Sequence, residues 1–170
     1  RVLFRSAVFS QISRWREQRL ALDYVSINIS PLQLYSDALI EALCEGLRRH
    51  GLSASGIMLE LTETQAFEAC ADVRRRLWHL HELGFTLAMD DYGTGYSSLQ
   101  RLTSLPFRAL KVDRCLIEAI DSDPLQQALL RGVCELEQAS GLRVVVEGIE
   151  RPEQRRTLLD LRSEEHTSEL

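Results

Sequence analysis

Asp90 and Asp91 close the apolar run Phe85-Thr86-Leu87-Ala88-Met89 and lead into Tyr92-Gly93-Thr94-Gly95-Tyr96-Ser97-Ser98-Leu99. Such a run reads as a buried strand. Two adjacent carboxylates at its C-terminal end repel, and each raises the pKa of the other unless a cation stands between them. A divalent metal held by oxygen ligands resolves that repulsion. A turn is the alternative, since Asp and Gly are common turn residues and one Asp can cap a following helix. The other strand ends bear on the choice. They carry Asn28, then Glu60 with Glu63, Lys111 with Asp113, and Glu147 with Glu150. Each has an ordinary explanation: a turn-forming Asn28, an outward-facing Glu60, a snorkelling Lys111, a helix-start pair Glu147 and Glu150. Five successive apolar segments ending in acid, amide or lysine are harder to obtain from solubility alone.

An oxygen-rich donor set suits Mg²⁺ or Mn²⁺ rather than zinc. Two such ions need a shared carboxylate, which Asp90 with Asp91 offers. A two-metal site activates water and clamps both oxygens of an in-line displacement at phosphorus. Lys111 would stabilise the attacking hydroxide or the charge developing on phosphate. The chemistry these residues suggest is metal-assisted phosphoester hydrolysis.

The elements that must position them follow a βα rhythm. The first strand is Tyr24 to Ile29, with Ser30 as N-cap and Pro31 at the first helical position. Its helix runs through Leu39, Ile40, Leu43 and Leu47 and stops at Gly51. The second strand is Ile57 to Leu61, and its helix carries Val73, Leu77, Leu80 and Leu83 before Gly84. The third strand is Thr86 to Met89 and the fourth Ala109 to Val112. A helix from about Pro124 to Ala139 ends near Gly141. Arg143 to Val146 is the fifth strand, and Pro152 opens another helix. Strict alternation implies an α/β fold of parallel strands covered by helices. No Gly-x-Gly-x-x-Gly follows the first strand, which weakens a dinucleotide-binding reading. An open sheet would spread the polar strand ends along a line, whereas a barrel gathers them on one face. The expected fold is therefore an incomplete (β/α)8 TIM-like barrel with about five βα units present.

Composition narrows the field further. The 170 residues suffice for one domain with a real core. A net charge of −5 argues against a nucleic-acid polymer as partner, while leaving room for a small anion bound through metals. No apolar run is long enough to span a membrane, and no secretory leader is visible. Cys44, Cys70, Cys115 and Cys134 form no Cys-x-x-Cys pair, so they read as reduced, mostly buried thiols in a cytoplasmic protein, not a zinc site.

The two ends stand apart. Arg1-Val-Leu-Phe-Arg-Ser6 can be encoded by CGT GTG CTC TTC CGA TCT. The reverse complement of that DNA encodes Arg-Ser-Glu-Glu-His-Thr, which is Arg162 to Thr167. Residues 1–6 and 162–170 are accordingly expected to be non-native, adapter-like ends, and residues 7–161 to be part of a domain that continues beyond both.

At these residues the chain resembles the EAL-domain cyclic di-GMP phosphodiesterases of bacteria. The matching segments are Ser26-Ile27-Asn28-Ile29-Ser30, Glu60-Leu61-Thr62-Glu63, Asp90 to Leu99, Leu110-Lys111-Val112-Asp113-Arg114 and Val146-Glu147-Gly148-Ile149-Glu150. They fall in the family's order and cover nearly all of the chain between the ends. The resemblance implies a (β/α) barrel that hydrolyses cyclic di-GMP to linear pGpG with two Mg²⁺ or Mn²⁺ ions. It implies Asn28 and Glu60 as ligands of the first metal, Asp90 as the shared carboxylate, and Asp91 and Glu147 as ligands of the second. Lys111 would hold the nucleophilic water, so that Lys111, Asp91 and Glu147 are the catalytic group. Glu63 would anchor the loop Tyr92 to Ser98, with Thr94 and Gly95 inside it, and link the site to a homodimer. Asp113 and Glu150 match positions of support or substrate contact.

The departures from the family pattern matter. Glu41-Ala42-Leu43 imitates the signature triplet but falls within the helix after the first strand. The genuine triplet is expected upstream of residue 7, and the Gln-Gly segment beyond Leu161. One metal-ligand glutamate and roughly three of eight strands are then missing, and the chain alone is expected to be inactive. Tyr92, Val112 and Val146 stand where Phe, Ile and Ala are more usual, which are mild packing changes. Two other readings remain: a degenerate domain that senses cyclic di-GMP without cleaving it, and metal-assisted proton abstraction with Lys111 as base.

Overall fold

Five short segments rich in Val, Ile, Leu and Met alternate with amphipathic helices, and in the computed structural model they assemble as one parallel sheet in the order β1-β2-β3-β4-β5. The structure describes residues 2–67, 70–94, 102 and 104–164. The strands are β1 (Val25–Asn28), β2 (Ile57–Thr62), β3 (Thr86–Tyr92), β4 (Phe107–Val112) and β5 (Arg143–Val146). The helices are α1 (Val2–Glu17), α2 (Pro31–Leu34), α3 (Ala38–His50), α4 (Glu63–Phe67), α5 (Ala71–Glu82), α6 (Pro124–Ser140) and α7 (Pro152–Glu164). Each strand pairs with its sequence neighbour, and β1 and β5 lie at the two ends of the order, so the sheet is not closed.

The two faces of the sheet differ in chemistry. Ile27, Leu59, Leu61, Leu87, Met89, Leu110 and Val112 belong to a core that includes Leu43, Leu77, Leu80, Leu130 and Val133 of the helices. The opposite face carries a small separate cluster, Met58, Ala88 and Ala109, which is also buried. Beyond that cluster, toward the C-terminal strand ends, the same face turns polar.

The helix expected after β1 is two helices. Leu34 closes α2, and Tyr35-Ser36-Asp37 interrupts before α3. Asp37 stands at the N-cap of α3 without capping it, because its carboxylate is taken by Arg76 of α5 at 2.7 Å. The triplet Glu41-Ala42-Leu43 lies inside α3, with Leu43 fully buried. Gly51 and Gly141 end α3 and α6 in the left-handed conformation, as the sequence leads one to expect. None of the four cysteines is fully buried: Cys44 and Cys134 are partly covered, whereas Cys70 at the N-cap of α5 and Cys115 in a 3-10 turn are exposed. Both occupy loop positions that no apolar layer covers. No helix among the described residues is long and apolar enough to cross a membrane.

Sequence reading had given no element for α1. It packs on α3, where Phe9 is buried and lies over Gly46. Its Ser13 hydroxyl lies 3.2 Å from His50 Nδ1, and Arg16 donates to the Gly51 carbonyl. A Cβ at Gly46 would come within 2.2 Å of the Phe9 ring. Gly46→Ala gains up to ~1 kcal/mol of helix propensity, but overpacking of this kind costs ~1–3 kcal/mol. A net loss in the urea midpoint is expected, with the slope unchanged. A midpoint equal to or above the parent's would show that the ring has room to move.

Candidate active site

The site begins with the register of the sheet. Asn28 pairs with Glu60 across β1 and β2, and Thr62 pairs with Asp90 across β2 and β3. On β4, Lys111 pairs with Val145, and Glu147 follows β5 with its N–H donating to the Val112 carbonyl. Every strand therefore delivers one polar side chain at the same end of the sheet.

Three of these carboxylates meet on one ammonium. Lys111 Nζ lies 2.9 Å from Asp90 Oδ1, 2.9 Å from Glu147 Oε1 and 3.4 Å from Glu60 Oε2. Glu60 is almost wholly buried, whereas Glu147 is about half exposed. Burial pulls the lysine toward its neutral form. The hydrogen bonds to Glu147 and Asp90 and the charge of Glu60 outweigh it, so the Lys111 pKa stands well above its ordinary value. One positive charge against three negative ones leaves an excess of negative charge.

Asp90 and Asp91 owe their joint placement to a bulge. Met89 pairs with Leu110 and Tyr92 with Val112, so β3 spends one residue more than β4 over this stretch. Asp91 takes φ +56°, a left-handed conformation that Asp tolerates better than most residues. Its N–H donates to Asp90 Oδ1 at 3.1 Å. Strict alternation would send the two side chains to opposite faces, whereas a bulge re-aims one of them. Burial, then the charges of Asp90 and Asp113, raise the Asp91 pKa, with Lys111 and Glu147 also within electrostatic reach.

The remaining acids bond to backbone. Glu63, the first residue of α4, is buried, and its Oε2 accepts the Gly93 N–H at 2.8 Å. Thr94 Oγ1 donates to the Asp91 carbonyl at 2.9 Å. Asp113 accepts the Cys115 N–H at 2.8 Å and so caps the turn Arg114–Leu116, which holds its pKa below the usual range. Partial desolvation, then the hydrogen bond to Asp113, push the exposed Cys115 thiol up to about 11, so it is not a reactive thiolate at neutral pH. Glu150 is exposed and is not among the partners of Lys111; it lines a small cavity with Arg114, Cys115 and Gln154. Gly95 lies outside the described residues, as do Tyr96, Ser97 and Ser98.

Sequence reading missed two glutamines. Gln33 Oε1 accepts the Ser30 N–H at 2.9 Å, and Gln65 Oε1 accepts the Thr62 N–H at 3.4 Å. Each ties down the loop after a strand that carries a site residue. A Gln three residues past a helix start is the signal that would have found them.

The donor set also bears on a metal. Asn28, Glu60, Asp90, Asp91 and Glu147 offer only oxygen donors, and the surplus negative charge around Lys111 fits one or more hard divalent cations. Among the described residues no three acid, His or Cys side chains converge as a ready metal cage, because the carboxylates close on the ammonium instead.

The EAL domain family matches residues 1–164, and the chain belongs to that family. Cyclic di-GMP phosphodiesterase RocR of Pseudomonas aeruginosa is 41% identical over 137 residues, which is 81% of this chain and 35% of RocR. Cyclic di-GMP phosphodiesterase PdeR of Escherichia coli is 34% identical over 143 residues, 84% of this chain and 22% of PdeR. The chain thus spans about a third or less of these relatives. The structure of the PaMucR phosphodiesterase in complex with c-di-GMP superposes with a TM-score of 0.84 at 31% identity, covering 94% of this chain and 65% of that one. The manganese and cy-diGMP complex of Klebsiella pneumoniae BlrP1 at pH 6 gives a TM-score of 0.85 at 27% identity, covering 94% of this chain and 40% of that one. The open parallel sheet is accordingly part of a TIM-like barrel.

Lys111 binds its proton more tightly in the folded chain than in the unfolded one. Its stabilising contribution is therefore full below the unfolded pKa of about 10.4 and is lost as pH rises through the folded value. Lys111→Met, measured by unfolding in a metal-free buffer, should cost about 3 kcal/mol at neutral pH. The gap between parent and variant should narrow only above about pH 10. A gap that stays constant through pH 11 would assign the contribution to packing rather than charge.

Proposed function

We propose that the protein containing this chain hydrolyses cyclic di-GMP to linear pGpG. The observation that carries this reading is the meeting of Glu60, Asp90 and Glu147 on the Lys111 ammonium at the C-terminal strand ends, with Asp91 on a bulge beside them. The cyclic di-GMP phosphodiesterase relatives and the c-di-GMP complexes support the choice of substrate.

Two Mg²⁺ or Mn²⁺ ions would be held by Asn28, Glu60, Asp90, Asp91 and Glu147, with Asp90 shared. When bound they lower the pKa of water and neutralise charge at phosphorus. The manganese and calcium complexes of BlrP1 support divalent cations of this kind. Lys111 would donate a hydrogen bond to the attacking oxygen and offset negative charge in the transition state. Asp91 would face the second ion, where a cation would relieve the burial and the repulsion from Asp90 and Asp113 that raise its pKa. Glu63 fixes Gly93, and through it the loop that would join this site to a homodimer.

Turnover belongs to the protein with a closed barrel. Among the described residues β1 and β5 each have a strand on one side only, and two exposed edges do not make an independent barrel. The 170-residue chain alone is expected to show no Mn²⁺-dependent turnover. A sensor that binds cyclic di-GMP without cleaving it is the second reading.

Asp90→Asn in the intact protein separates these. A bridging carboxylate tolerates little loss of charge, so production of pGpG should fall by at least about a thousandfold, as for other single contacts to developing charge. A rate within about tenfold of the parent would overturn the bridging role. Undiminished cyclic di-GMP binding by an intact protein that never yields pGpG would favour the sensor.

A further inference from the structure

Gln154, in the first turn of α7, is buried at 4% exposure. Both ends of its amide are hydrogen-bonded. Its Oε1 accepts the N–H groups of Glu150 and Arg151, both at 2.9 Å. Its Nε2 donates to the Ile117 carbonyl at 3.0 Å. Gln154 thus joins the segment after β5 to the connection between β4 and α6. Arg151 makes the same crossing nearby, donating to both carboxylate oxygens of Asp121 at 2.7 and 3.1 Å and to the Glu118 carbonyl at 2.7 Å. That pairing holds the Asp121 pKa below its usual range.

The two bonded stretches also approach closely just before these crossings. Gly148 has φ +73°, and a Cβ there would sit 2.4 Å from the Arg114 Cβ. On its other side the turn Arg114–Leu116 presses on Gly93, where a Cβ would sit 2.3 Å from Leu116. Glu147, immediately before Gly148, is bonded at its N–H to Val112 and at its carboxylate to Lys111. Its side chain is about half exposed, so packing does little to fix it. What fixes it is the path of the backbone that carries it.

We propose that Gln154, seconded by Arg151, is the positioning residue that holds Glu147 at the site. It acts by tying residues 147–151 to the β4–α6 connection, so that the carboxylate from β5 and the ammonium from β4 stay in register. The structural part of this stands by itself; the part concerning a metal ligand rests on the reading of Glu147 given above. A carboxylate or amide behind a ligand commonly sets affinity for the ion by orienting the ligand. Arg151 completes the same clasp, and a bidentate arginine to a carboxylate is suited to fixing geometry.

The test uses the intact protein with Gln154→Ala, Gln154→Glu and Arg151→Ala. The last is an exposed residue whose loss leaves the core intact, so at least one variant folds. Two properties are read: exchange of individual amide hydrogens by NMR, and Mn²⁺ affinity by the EPR signal of the free ion. In Gln154→Ala the Glu147 and Gly148 amides should exchange at least about tenfold faster, those of β1 to β3 should be unchanged, and Mn²⁺ should bind about tenfold more weakly. Gln154→Glu keeps both acceptor bonds and loses the donor to Ile117, so it should fall between. Arg151→Ala should act in the same direction by a smaller factor. Unchanged exchange at Glu147 and Gly148 overturns the proposal, and so does acceleration spread evenly over the sheet. Faster local exchange with undiminished Mn²⁺ affinity overturns the positioning of Glu147. If the intact parent protein binds no Mn²⁺ while exchange responds locally as expected, the clasp is supported and the metal-ligand reading of Glu147 fails.

Discussion

One ammonium among three carboxylates is the constraint on which the site depends. Glu60 is buried, and a buried carboxylate without a counter-charge is costly enough to take up a proton or open the structure. Lys111 supplies that charge, at 3.4 Å from Glu60 and 2.9 Å from Asp90 and Glu147. The lysine comes from β4, Glu60 from β2, Asp90 from β3 and Glu147 from the end of β5. The contact therefore exists only when four strands share one register. A slip of one residue in any of them would turn its acid to the helix-covered face, against Leu59, Met89 or Val112. Charge pairing and strand register thus specify each other.

The acids divide by what they face. Glu60, Asp90 and Glu147 face a charge, whereas Glu63 and Asp113 face backbone N–H groups. The first group leaves negative charge in excess and is available to a cation. The second group satisfies donors that loops would otherwise leave unpaired, and it fixes where the loops run. Glu63 holds the loop after β3 and Asp113 the turn after β4. Neither role is replaceable by an amide without loss, since a neutral acceptor bonds an N–H less strongly than a carboxylate does. Both kinds of acid sit at strand ends and read alike in a sequence.

That similarity marks the limit of what the residues alone disclose. The βα alternation, the parallel sheet, the left-handed stops at Gly51 and Gly141 and the polar end of each strand all follow from local patterns, because burial period and capping are local properties. The break at Tyr35-Ser36-Asp37 does not, since Asp37 leaves its cap to meet Arg76, which is 39 positions away. Helix α1 does not either: its fit on α3 depends on Phe9 meeting a glycine at 46. Among the site residues, the types and the strand ends were legible, while Asp113 and Glu150 could not be separated from the acids that meet Lys111. Cys115 and Cys70 were expected inside because the residue type usually is, and their loop positions override that tendency.

The bulge in β3 shows why local pattern cannot suffice at this place. A regular strand would give the sheet either Asp90 or Asp91 on the polar face, with the other acid set among Leu and Met of the core. The chain keeps both near Lys111 by adding one residue to β3 relative to β4 and by placing Asp91 at φ +56°. That conformation costs something of the order of 1 kcal/mol for a residue other than glycine. It is held from both sides: Asp91 donates to the Asp90 carboxylate, and its own carbonyl accepts from Thr94. Two residues later Glu63 fixes Gly93, and Asp113 donates its N–H to the Tyr92 carbonyl. The strain at Asp91 is surrounded by bonds to two other βα loops. A fold that needed only stability would place a single acid there and leave the strand regular. The second carboxylate, crowded by burial and by the charges of Asp90 and Asp113, is the feature that stability alone does not ask for.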